Sequence, residues 1–225
     1  ADSDGYSEKD MERKWAWKAL DGIAGQNRFA AAGSDHHAEL EAWLRDKKLP
    51  TSHVVQRALP HFPHPGPDVL PEHRFEGMVR GWHVVGVIDC LHLLQVPLLL
   101  DLKTTSDLRW AKTEAELRTD IQAALYTAWA CITFEVDLVA LRWVYVERKK
   151  NGRVRPVDLV MSGRAALDVL EKFAVTADAI TRARALGLHA IDMQPNWGAC
   201  EQYGGCPYKE NCGAAPLPVE PSMVQ

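Results

Sequence analysis

Two acids and a lysine stand near the ends of two apolar runs. The first run closes on Gly86-Val87-Ile88-Asp89, and the second reads Leu98-Leu99-Leu100-Asp101-Leu102-Lys103-Thr104-Thr105. Side chains alternate along a strand, so Asp101 and Lys103 share a face. Positions 89 and 101 are equidistant from Gln95, and a hairpin centred there sets Asp89 opposite Asp101. Facing carboxylates raise each other's pKa unless a cation intervenes. Mg2+ or Mn2+ is the simplest such cation, because hard ions take oxygen ligands. An ion held there drops the pKa of its bound water far below about 15.7. Lys103 stands ready to orient that water or to meet the charge of a phosphate. The chemistry is metal-assisted attack of water on a phosphodiester. The same residues also read as a strand-end surface ion pair worth about 0–1 kcal/mol.

The surrounding elements must bring further groups to this point. Residues 10–20 and 30–44 read as helices, with Ser34 or Asp35 after Gly33 as N-cap. His37, Leu40 and Leu44 share one face of the second helix, with Glu41 one turn after His37. His37 is either a buried, hydrogen-bonded histidine or a metal ligand delivered to the carboxylates. Residues 50–71, with Pro60, Pro63, Pro65, Pro67 and Pro71, read as a rigid surface loop; its His53, His61 and His64 lack fixed metal-site spacing. Strands are expected over 72–79, 82–94 and 98–104, covered at least partly on both faces by their Leu, Val and Ile content. Glu72 and Glu76 read as surface residues, with a ligand role as the alternative.

A long helix is expected over 113–133, placing Gln122 and Tyr126 one turn apart. They are packing and solvated side chains, or a pair aimed at a phosphate backbone. Strands over 138–147 and 153–161 flank Asn151-Gly152, a hairpin signal. Arg142, Arg148, Lys149, Lys150, Arg153 and Arg155 gather there against Glu147. Such a cluster is a soluble sheet edge or a phosphate track. Ser162 caps a helix that packs the core and ends near Leu186, at Gly187.

The 225 residues are 47% hydrophobic and 25% charged, the balance of an ordinary globular domain. No apolar stretch approaches a membrane span. The polar start, residues 1–13, does not read as a secretory leader. A net charge of −4 argues against indiscriminate coating of nucleic acid, while leaving room for a local basic track beside an acidic metal pocket. Five cysteines, three of them late, do not read as a disulfide framework, and a cytoplasmic location is expected. Those three, Cys200, Cys206 and Cys212, lie among glycines in residues 197–212 and suggest a soft metal or a cluster. Cys90 and Cys131 are candidates for a fourth ligand, or ordinary core residues.

In chain order, Gly33-x-x-x-His37-x-x-x-Glu41, Gly86-x-x-Asp89, Asp101-Leu102-Lys103, Gln122-x-x-x-Tyr126 and the late cysteines resemble the PD-(D/E)xK nuclease superfamily. The resemblance is to its RecB-like branch, which includes CRISPR-associated RecB-type and phage exonucleases, and it covers residues 30–212. It implies an α/β fold with a restriction-endonuclease-like core, a mixed central β-sheet flanked by helices. The nuclease domain would span 1–195, with a cysteine-bearing tail, 196–225, packed on it. His37, Asp89, Asp101 and the Leu102 carbonyl would hold Mg2+ or Mn2+, with Lys103 assisting the water beside the catalytic acids Asp89 and Asp101. Gln122, Tyr126 and the basic hairpin (Arg148, Lys149, Lys150, Arg153) would position DNA.

The late cysteines would hold a 4Fe–4S cluster with one earlier cysteine, or a zinc ion. The family's earlier cysteine precedes its histidine motif, whereas this sequence has none before Cys90. Asp101 also stands where Glu is more frequent. The implied activity is metal-dependent exonucleolytic cleavage of DNA, at single-stranded ends, in processing, recombination or defence. A recombination or CRISPR-adaptation protein is the implied partner, and no membrane is involved. The alternative is a non-catalytic DNA-binding or assembly subunit that keeps the fold.

Overall fold

Arg80 and Gly81 both take positive φ, +50° and +86°, as a two-residue hairpin turn requires. They join β1 (Val69–Val79) to β2 (Trp82–His92) in antiparallel register from Val79↔Trp82 to Val69↔His92. β3 (Leu98–Thr105) pairs with β2 over a short stretch only, from Cys90↔Leu100 to His92↔Leu98. β3 then runs parallel to β4 (Leu138–Glu147) along its whole length, and β4 runs antiparallel to β5 (Val154–Ser162). The product is an α/β fold on a five-stranded mixed sheet in the order β1-β2-β3-β4-β5. This computed structural model describes residues 28–192 together with Tyr208 and Cys212. The chain divides into two compact units, residues 28–174 and residues 1–27 with 175–225; the sheet belongs to the first.

Helices flank the sheet on both faces. On one face, α1 (Arg28–Asp46) and α2 (His53–Ala58) bury Leu40, Trp43, Leu44, Val54 and Val55 against Cys90, Leu100, Leu102, Val144 and Val146. On the other, α3 (Glu114–Leu117), α4 (Ile121–Phe134) and the first turns of α5 (Gly163–Ala185) cover Leu91, Leu99, Leu141, Trp143, Tyr145 and Leu159. Even positions of β3 and β4 thus face α1 and odd ones face α4, as strand alternation requires. No helix among the described residues is long and apolar enough to cross a membrane.

Several expectations need correction. Gly33, Ser34 and Asp35 lie inside α1, so neither polar residue is its N-cap; Ala30-Ala31-Ala32 has helix propensity enough to carry the helix through Gly33. The 50–71 stretch is not all loop. Ser52 accepts from Val54 N and caps α2, which a 3-10 turn over Leu59–His61 extends. The 113–133 helix is two helices, because the Asp120 carboxylate accepts from Ala123 N and starts α4 afresh after α3's Thr113–Glu116 capping box. The hairpin expected at Asn151-Gly152 forms between β4 and β5, with its turn bond one residue earlier, over Lys149–Gly152. Residues 148–153 make a wider loop closed by Gly152 N to Lys149 O and by Glu147 N to Arg153 O. Arg57 of α2 donates to the carbonyls of Glu147, Lys149 and Gly152 and pins that loop. The predicted 10–20 helix, Cys200 and Cys206 lie outside the described residues.

Candidate metal centre at the fork between two strands

β2 and β3 separate at the acids. Their register extended by one step past Cys90↔Leu100 sets Asp89 level with Asp101, yet no backbone pairing is made there. The Asp89 carboxylate takes its place, with Oδ2 accepting from Leu102 N at 2.7 Å. Tyr126 of α4 holds the other side open by donating its hydroxyl to Val87 O at 2.5 Å. Gly86 makes room for this, because its partner Phe75 lays its ring across it; a Cβ at Gly86 would sit 2.4 Å from Phe75 Cε1 and Cζ. Phe75 in turn meets Tyr126 edge-on at 5.7 Å and Trp129 at 5.3 Å.

The β1–β2 ribbon changes face at the same level. Below it, Leu70 and Leu91 face α4 while Val69 and Cys90 face α1; above it, Phe75 and Ile88 face α4. The switch lies at Glu72, whose φ is +47° and which is missing from the ladder between Pro71↔Cys90 and His73↔Ile88. One left-handed residue breaks the two-residue alternation. Glu72, read from the sequence as a surface residue, is half-buried and level with Asp89.

Helices on opposite faces of the sheet therefore contribute to one site. From α1, His37 Nδ1 lies 3.1 Å from Asp89 Oδ1 and 4.0 Å from Glu72 Oε1. From α4, Gln122 Nε2 donates to Asp101 Oδ1 at 2.7 Å while its Oε1 accepts from Lys103 Nζ at 3.1 Å. Gln122 Nε2 also reaches the Tyr126 hydroxyl at 2.7 Å. Lys103 Nζ is 2.8 Å from Asp101 Oδ2. That contact has the distance of an ion pair without the alignment of a hydrogen bond, so Oδ2 is buried with no aligned donor. Leu102 has its side chain wholly in the core and offers the site only its main chain.

The electrostatics call for more positive charge. Burial, then the Asp89 charge, pushes the Asp101 carboxyl up to about 6 against the pull of Lys103. Burial, then Asp89, also raises Glu72. The hydrogen bond to Asp89 raises the His37 imidazole, with burial opposing it. Burial disfavours the Lys103 ammonium, but Asp101 outweighs it and the lysine sits above its ordinary value. Glu72, Asp89 and Asp101 set three carboxylates against one ammonium and one imidazole. Carboxylate oxygens with a single imidazole nitrogen are donors that Mg2+ or Mn2+ accepts. The unaligned, buried Asp101 Oδ2 and the remaining negative charge make these residues fit such an ion.

The other sequence candidates are placed as follows. Tyr126 is buried, its hydroxyl occupied by Val87 O and Gln122. Arg153 pairs with the buried Glu147, Arg142 pairs with Asp158, and Arg155 donates to Ala111 O and Lys112 O. Arg148 N bonds Thr105 O, while the side chains of Lys149 and Lys150 are exposed. Glu76 is exposed and bound to Arg74 and His83. Cys90 is wholly buried, its thiol pushed up to about 12 by burial and then by Asp89, which marks a packing residue. Cys131 is half-buried and its thiol is also raised by burial. Cys212 is half-buried, its N–H bonded to Tyr208 O. Glu72, which the sequence offers as a surface residue with a ligand role as the alternative, takes its place opposite Asp89 only once the β1–β2 register is known.

No protein-family profile and no curated protein matches the chain. Among solved structures it is similar to one described as "Crystal structure of SSO0001", with 13% sequence identity and a TM-score of 0.41 over 82% of this chain and 70% of that one.

Proposed function

We propose that the chain is a divalent-metal-dependent deoxyribonuclease built on a PD-(D/E)xK core, hydrolysing phosphodiester bonds as an exonuclease in DNA processing, recombination or defence. The observation that carries this reading is the fork, where Asp89, Asp101 and Lys103 meet His37 with Asp101 Oδ2 left without an aligned donor. His37, Asp89, Asp101 and the Leu102 carbonyl would hold Mg2+ or Mn2+. The ion, when bound, supplies a water of lowered pKa and offsets charge on the phosphate.

The protein's own groups do the rest. Lys103 is held by Asp101 and Gln122 and favours its charged form. It therefore offers a cationic donor to the attacking water or a phosphate oxygen. Gln122 fixes both members of that pair at once. Lys149 and Lys150, exposed on a loop that Arg57 anchors, offer phosphate contacts to a DNA strand. The late cysteines are proposed to hold a 4Fe–4S cluster or zinc.

The test is Mn2+-dependent release of label from end-labelled DNA. Wild type is expected to digest it, and Lys103→Ala or Asp101→Ala to lose about a hundredfold or more, the scale of removing one group that stabilises transition-state charge. Digestion unchanged by Asp101→Ala overturns this assignment of the site. DNA binding with no cleavage at any Mn2+ concentration identifies a non-catalytic subunit instead.

A further inference from the structure

We infer that Glu72 is a direct ligand of the divalent cation, so that the first cation position is His37–Glu72–Asp89, on the α1 side of the fork. The inference rests on the metal-dependent reading above and adds a residue that none of the sequence motifs contains.

Three observations carry it. The first is distance. Donors about 2.1 Å from an ion of this size are at most about 4.2 Å apart. His37 Nδ1 already lies 3.1 Å from Asp89 Oδ1 and 4.0 Å from Glu72 Oε1. One donor atom from each of the three residues lies within 4.8 Å of the other two, so an ion can enter with small side-chain adjustments. Asp101, held on the α4 side by Gln122 and Lys103, is not among the three donors already gathered and would complete the set by turning its Oδ2 toward them.

The second is chemistry. The set combines two carboxylates with one imidazole nitrogen, from residues 8% (Asp89), 28% (Glu72) and 30% (His37) exposed at the side chain. Asp89 is nearly buried while His37 and Glu72 open to solvent, so an ion has an entry path and keeps room for water. An imidazole in the set favours Mn2+ over Mg2+.

The third is placement. A glutamate in the left-handed region costs backbone energy, and here that conformation takes Glu72 out of the ladder and sets it level with Asp89. Glu135, also left-handed at φ +54°, is exposed at the end of α4, so it is the level with Asp89 and not the conformation alone that sets Glu72 apart. Glu76, on the same strand, is exposed and pairs with Arg74 and His83 in ordinary extended backbone.

The experiment titrates MnCl2 into the metal-free full chain, following heat by calorimetry and the free-ion signal by electron paramagnetic resonance. Wild type, Glu72→Gln, Glu72→Gly, Glu76→Gln and Asp89→Asn are compared. Glu72→Gly keeps the left-handed backbone without a Cβ penalty, so it tests the carboxylate should Glu72→Gln fold poorly. Both Glu72 variants are expected to weaken Mn2+ binding by at least about tenfold, the lower end of what loss of a supporting group costs a metal site. Glu76→Gln is expected to leave binding unchanged, and the metal-free melting temperature of Glu72→Gly is expected not to fall. If Asp89→Asn loses Mn2+ while both Glu72 variants bind as wild type does, Glu72 is not a ligand and the metal reading stands. If wild type binds no Mn2+, the metal reading fails and this inference with it.

Discussion

Gly86 offers a test of the fold beneath the site that needs no substrate. A Cβ there would stand 2.4 Å from two atoms of the Phe75 ring, against about 3.5–4.0 Å for comfortable carbon contact. The ring must therefore retreat by more than about 1 Å. It is 4% exposed and boxed by Tyr126 and Trp129, so the move forces those rings as well. Gly86→Ala is expected to cost about 1–3 kcal/mol, the range for overpacking a closed core. For a domain of this size that lowers the melting temperature by about 2–12 °C, readable by circular dichroism during heating. In a Phe75→Ala background the clash is gone, and alanine exceeds glycine in a strand by about 0.5–1 kcal/mol. The second substitution should then be neutral or stabilising. An equal cost in both backgrounds would refute the claim that Phe75 dictates the glycine.

Two further outcomes follow from the same contacts. Tyr126→Phe removes the donor to the Val87 carbonyl and is expected to cost about 1–3 kcal/mol, the penalty for a buried group left unpaired; a urea midpoint equal to wild type contradicts it. The Glu147 carboxyl, held by the Arg153 side chain and N–H and by Leu108 N, is depressed from 4.5 to about 2. Its contribution is present above pH 4.5 and is lost as pH falls toward 2. Stability of Glu147→Gln measured against pH should therefore be flatter over that acid window, and a curve parallel to wild type counts against the assignment.

The level of Asp89 with Asp101 was legible because it needs only a symmetric turn about Gln95. So were the starts of β2 and β3 and the whole of β4. The orientation of the two acids was not, since Asp101 turns toward α4 and Asp89 toward α1. Which helix covers which face is decided by packing such as Leu40 on Leu100 or Tyr126 on Phe75, and periodicity is silent on that. Glu72 could be named only as an alternative ligand, equal with Glu76, because alternation assumes every residue is extended and this one is left-handed. The basic hairpin was legible as a cluster but not in its pairing. Arg142 and Arg153 look like a charge track in the sequence, yet their acids, Asp158 and Glu147, lie across or along the same strands and pair with them once the sheet forms.

At the fork, residues that open the sheet also satisfy the backbone groups the opening exposes. Leu102 N would have faced a β2 partner, and Asp89 accepts from it instead; Val87 O would have faced β3, and Tyr126 donates to it. Asp89 therefore differs in kind from Glu72. Replacing Asp89 by alanine strands a buried N–H, at about 1–3 kcal/mol, and mixes loss of chemistry with loss of fold. Replacing it by asparagine keeps an oxygen for Leu102 and removes only the charge. Glu72 accepts no backbone bond among the described residues and sits in a conformation that glycine adopts more readily, so its carboxylate can be removed without touching the ladder. Stability of the fork should thus follow the acceptor at 89, while cation affinity follows the charge at both 72 and 89, and a protein in which the two properties could not be separated in this way would not be built as described.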